Sequence, residues 1–137
     1  MRNSDEGIGD AEVEPREWIS FLDSFSRQHE GWLASIEVAT PGGKLTEVVN
    51  RRLRGVSIDH ADGKQRAYVE VGDTPDQCLT HVIESPRRIR FKRTRTGAHE
   101  GLEIESADGS TTIVRFRSAM LPEMLDGIAS RNTSFQP

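Results

Sequence analysis

The densest chemistry in the chain lies in SPRRIRFKRTR, residues 85–95, where Arg87, Arg88, Arg90, Lys92, Arg93 and Arg95 put six basic side chains into nine positions. Clustered cations of this kind suit a phosphate backbone, because each neutralised phosphate releases counterions. The same stretch also alternates: Ile89 and Phe91 point one way and Arg88, Arg90 and Lys92 the other, as on a half-buried strand. In the following LEIES, Leu102 and Ile104 alternate with Glu103 and Glu105, and a hairpin would put both acids on the face of the bases. The ladder is therefore expected first as a solvated, internally paired face and only second as a nucleic-acid or anion-binding surface. Outward aromatic side chains for base stacking are scarce, Tyr68 being the obvious one.

Other reactive residue types lack a supporting context. His29, His60, His81 and His99 show no HExxH or paired Cys/His spacing, so no metal or cofactor is expected. His81 shares a side of LTHVI with Leu79 and Ile83 and is expected as a hydrogen-bonded core residue. His29 falls in the last turn of a helix, where the macrodipole favours a partly protonated ring. Cys78 follows the acidic turn GDTPDQ, which disfavours a thiolate, and is expected to be structural. Ser85 has no GxSxG setting, and Glu103 and Glu105 lack the recessed apolar surroundings that acid/base work requires. TPGGKLT at 40–46 misses the first glycine of a phosphate loop and has Leu45 where a magnesium-binding Ser/Thr would stand. Asn132-Thr-Ser matches a glycosylation acceptor pattern only formally. No catalytic residue emerges, and the protein is not expected to be an enzyme.

The elements that must position these residues are legible from periodicity. Pro15 suits a first helical position, and Trp18, Phe21, Leu22 and Phe25 form one apolar stripe that Gly31 terminates. From Trp32 the period changes to two, and strands are expected near 32–38, 45–59 with parity broken around Arg51, 66–71, 79–83, 88–93, 102–106 and 111–117. In ESADGSTT a three-residue loop, Ala107 to Gly109, sets Leu102 against Val114 and Ile104 against Thr112, whereas a two-residue turn would mix the faces. LPEMLDGIA offers a short closing helix through Leu121, Met124, Leu125 and Ile128. The fold class is α+β: an N-terminal amphipathic helix, then a curled, barrel-like antiparallel meander of about six or seven short strands, and a short C-terminal helix.

The chain of 137 residues fits one domain. Residues 1–14 hold Asp5, Glu6, Asp10, Glu12 and Glu14 against Arg2, which is the whole net charge of −4. The rest is electrically neutral, unlike a typical basic nucleic-acid binder. The domain plan is a disordered acidic tail over 1–14, one globular domain over 15–130 and a flexible C-terminus over 131–137. The tail is expected to act as a solubilising segment, with competition against an anionic partner for the basic ladder as the alternative. With one cysteine, no apolar leader and no membrane-length apolar run, a soluble cytoplasmic protein is expected.

Three segments, EPREWISFLDSFSRQHEGWL, VGDTP with LTHVIESPRRIRF, and LEIESADGSTTIVRFRSAMLPEMLDGI, together resemble the DUF5335 family of small bacterial proteins. The likeness covers residues 14–127 and leaves out the segment before Glu14; its most specific part is the helix with its PREW and FSxxHxGWL pattern. The resemblance implies a bacterial source and supplies no catalytic residues.

The leading expectation is a small non-enzymatic binding or accessory module acting through protein–protein contacts, homodimerisation included, at an exposed sheet edge. The second is RNA or single-stranded DNA binding by the basic strand, on analogy with Sm-like barrels. The third is an enzyme whose site would join His81, His60 and nearby acids.

Overall fold

The computed structural model describes residues 10–120, with side chains to Arg117. A short strand, β1 (Ala11–Val13), and one 3-10 turn (Pro15–Glu17) lead into the helix α1 (Trp18–His29). Seven strands follow: β2 (Leu33–Thr40), β3 (Gly43–Ala61), β4 (Lys64–Gly72), β5 (Cys78–Glu84), β6 (Pro86–Arg93), β7 (His99–Ser106) and β8 (Thr111–Met120). All pair antiparallel in the order β1-β6-β7-β8-β2-β3-β4-β5. In place of one continuous curled meander there are two, β2–β5 and β6–β8, joined where β8 pairs with β2; the sheet does not close, and β1 and β5 are its two ends. The expected closing helix over 121–128 lies outside the described residues.

Residues 10–13, assigned from sequence to a disordered tail, are a correction to that plan: Ala11, Glu12 and Val13 pair with Phe91, Arg90 and Ile89 of β6. The reason is a long-range contact that no local pattern announces. Val13 enters the core, and its carbonyl accepts a hydrogen bond from the Trp18 indole at 3.1 Å.

Period-two alternation turns into two apolar rows across the sheet. One runs Phe91, Leu102, Val114, Ile36, Val48, and the next runs Val13, Ile89, Ile104, Thr112, Val38, Leu45. The hairpin between β7 and β8 has the three-residue-loop register, with Gly109 in the left-handed region at φ 94°. Ser110 donates from its backbone N–H and its hydroxyl to Asp108, and these bonds lower the Asp108 pKa.

The helix covers one end of these rows with Trp18, Leu22, Phe25 and His29. Complete burial of an aliphatic side chain such as Leu22, Ile36, Leu102 or Ile104 stabilises by about 2 kcal/mol each. Ser26 docks the helix on β3: its hydroxyl donates to the Val56 carbonyl at 2.9 Å and accepts from the Val56 N–H at 2.8 Å. β3 itself changes partner midway, pairing with β2 up to Arg52 and with β4 from Leu53. The broken parity expected near Arg51 corresponds to Asn50 at φ 49° and to register shifts on both sides. This bend lets β5 come back toward β8, where His81 Nε2 lies 3.4 Å from Thr112 Oγ1.

Candidate functional site

Three places concentrate chemistry: the basic face, a buried histidine pair and the β5 side of the sheet. On the basic face the strand parity works as expected, since β6 and β7 pair Arg88 with Glu105 and Arg90 with Glu103. Glu105 takes Arg87 at 3.0 Å and Arg88 at 3.2 Å; Glu103 takes Lys92 at 3.6 Å and Arg90 at 3.7 Å. β1 adds two more carboxylates, with Glu12 at 3.4 Å from Arg88 and Asp10 bonded to Lys92. Against the cost of its partial burial, the hydrogen bond to Asp10 and the nearby Glu103 raise the Lys92 pKa. Arg93 lies with its guanidinium 5.4 Å from the centre of the Phe91 ring, and its backbone N–H faces Asp10 at 3.4 Å. Arg95 follows in the exposed loop after β6. The second cluster, Arg51, Arg52 and Arg54, belongs to β3, separated from β6 by the three strands β7, β8 and β2 in the sheet order, with Arg52 facing Asp73 at 3.8 Å.

The histidines are arranged differently from expectation. His60 is exposed at the far end of β3, whereas His81 shares a cross-strand row with Val69 and Val56. Four residues of strand, roughly 13 Å, separate the Val56 position from His60, so the expected His60/His81 site does not form. His81 is half-buried, and that burial, opposed by Glu47, lowers its pKa.

His29, expected to be partly protonated at a helix end, is instead completely buried and bonded to His99. Desolvation outweighs the helix dipole at this depth. Phe25, Phe91, Trp32 and Phe116 surround the pair, and His29 stacks on Phe116 at 4.9 Å. Both facing nitrogens are used by each other, so the pair forms a polar tie in the core. Only the position of His29 on the buried stripe of α1 hinted at this; nothing marked His99.

Apart from Ile19 on α1, the exposed large apolar side chains among the described residues lie on β3 and β5. Leu45 is 61% exposed, Val49 63%, Leu79 49% and Val82 44%. Between β3 and the start of β5 lies a cleft of about 630 Å³ lined by the apolar Val49, Val71 and Leu79 and by the charged Glu47, Arg51 and Asp76, with Cys78 also in its wall. Cys78, expected to be structural, is an exposed free thiol. β5 pairs only with β4 among the described strands, and its sequence CLTHVIE contains no Lys, Arg, Pro or Gly. No group of three or more metal-ligating side chains occurs among the described residues, and none of their helices is long and apolar enough to cross a membrane.

A family model described as a family of unknown function, DUF5335, matches residues 9–124, and the chain belongs to that family. The match begins before Glu14, so the segment carrying β1 is part of the family's domain and not an appendage to it. No curated protein and no solved structure matches the chain.

Proposed function

As a member of this family of unknown function the chain inherits no activity from it, and we propose from its geometry that it is a small non-enzymatic binding module working through protein–protein contact at the β5 edge. The observation that carries this is the contrast between the two ends of the sheet. An unpaired strand edge is a template for another chain, and proteins usually blunt it with charge, proline or brevity. The β1 end has such protection, being three residues long and flanked by the charged face of β6. The β5 end has seven residues, Glu84 as its one acid, and exposed Leu79 and Val82.

The occupant is a second copy of the chain. Antiparallel pairing about a two-fold axis through His81 sets Leu79 against Ile83, Thr80 against Val82 and Cys78 against Glu84, so no like charges meet. Static light scattering over a wide concentration range tests this. A dimer that Val82→Lys or Thr80→Pro converts to monomer supports the module; a wild-type chain that stays strictly monomeric at the highest concentration rejects it.

A further inference from the structure

The opposite end of the sheet is already occupied, and what occupies it describes a ligand. In Asp10-Ala11-Glu12-Val13 the two acids lie on the outer face and meet Lys92 and Arg88, while Ala11 and Val13 turn inward against Phe91 and Ile89. The four cations of the ladder meet only two carboxylates from β7, Glu103 and Glu105. Asp10 and Glu12 neutralise that surplus of two positive charges. β1 spans three residues of an eight-residue β6, so the strap is short and leaves much of that strand's edge uncovered. Its anchor to the helix, the Trp18 indole donating to the Val13 carbonyl, is a bond to main chain that any incoming strand could replace.

We propose that the edge and basic face of β6 form a docking groove for an acidic extended peptide of another protein, with the pattern acid, small, acid, apolar, and that Asp10–Val13 fills it in cis as a displaceable strap. Recognition has three parts: main-chain pairing to Ile89–Phe91, carboxylates on Lys92 and Arg88, and an apolar side chain in the slot of Val13. A single-stranded nucleic acid satisfies only the second, because it brings neither a β-edge nor an aliphatic side chain. This is why a peptide fits the groove and a phosphate chain does not. The strap reduces the apparent affinity for a competitor by the fraction of time it stays closed.

The test uses the full chain and a fluorescein-labelled peptide with the sequence DEGIGDAEVE, followed by fluorescence anisotropy at low and moderate salt. The full chain carrying Asp10→Asn and Glu12→Gln is expected to bind the peptide roughly tenfold more tightly than the wild type, with affinity falling as salt rises. A control peptide with lysine at its sixth and eighth positions should not bind, and adding Arg88→Glu and Lys92→Glu to the variant should abolish binding. Val13→Ala loosens the strap by packing instead of charge and should also raise the affinity, so it decides the matter if the charge variant fails to fold. Equal affinity of the wild type and the strap variants, no binding to any of them, or binding of a single-stranded oligonucleotide in place of the peptide would each overturn the proposal.

Discussion

His29 and His99, 70 positions apart in the chain, share a hydrogen bond of 2.8 Å between Nε2 of the first and Nδ1 of the second. The other ring nitrogen of His29 lies 2.7 Å from the Phe25 carbonyl, which can only accept. That fixes the tautomers: His29 carries its proton on Nδ1 and accepts at Nε2, so His99 must donate from Nδ1. The arrangement holds only while His29 is neutral.

Burial, opposed by the Phe25 carbonyl and reinforced by His99, lowers the His29 pKa from 6.5 to about 4. Burial and Arg93 push His99 down as well. Between those two pH values the unfolded chain binds a proton that the folded chain refuses, so stability is full above pH 6.5 and declines as the pH falls toward 4. For His29 alone the loss is on the order of 3 kcal/mol. Urea midpoints should drop from pH 7 to pH 5, and His29→Phe should flatten that dependence. A wild-type midpoint constant over this range would contradict the tie.

Gly101 tolerates no side chain. At φ 150° its Cβ would stand 1.9 Å from the Val114 carbonyl oxygen, which is held in the β7–β8 ladder. Gly101→Ala should cost about 2–4 kcal/mol through backbone strain and a spread ladder. Thermal unfolding would show it as a clear fall in Tm, while Gly109→Ala, in open space but also at positive φ, should fall less.

Ser26 serves both backbone polar groups of Val56 at once. Ser26→Ala leaves them unpaired beneath the helix and should cost roughly 1–3 kcal/mol. Equilibrium urea unfolding checks this, and Ser24→Ala on the exposed side of the same helix is the neutral control.

Trp18 holds β1 in place by one bond and by its own burial. Trp18→Phe keeps an aromatic side chain in the core but removes the donor to the Val13 carbonyl, at about 1 kcal/mol. The amides of Ala11–Val13 should then exchange with solvent faster than those of β7 and β8, measurable by hydrogen exchange. Unchanged protection would mean that the ion pairs of Asp10 and Glu12 hold β1 by themselves.

The division between what was legible and what was not follows the range of the interactions. The stripe of Trp18, Phe21, Leu22 and Phe25, the inward pairs Leu102/Val114 and Ile104/Thr112, the left-handed Gly109 and the pairing of Arg88 and Arg90 with Glu105 and Glu103 all depend on residues a turn or a hairpin apart. Period and turn geometry within the sequence suffice for these, because a one-residue slip would bury charge. β1 on β6, His29 on His99 and the outer edge of β5, which no described strand pairs, depend on segments that meet only when the sheet curls. Local propensity says nothing about which distant strand accepts a three-residue segment, nor which ring lies across from a buried histidine. Periodicity and turn chemistry were enough for a helix, a run of antiparallel strands and a basic ladder with its own acids. That Asp10 and Glu12 complete the ladder, that the core contains a neutral histidine pair, and that one edge is covered by β1 while no described strand pairs the other emerged from the folded chain alone, because each results from long-range burial in which desolvation and backbone pairing outweigh local preference.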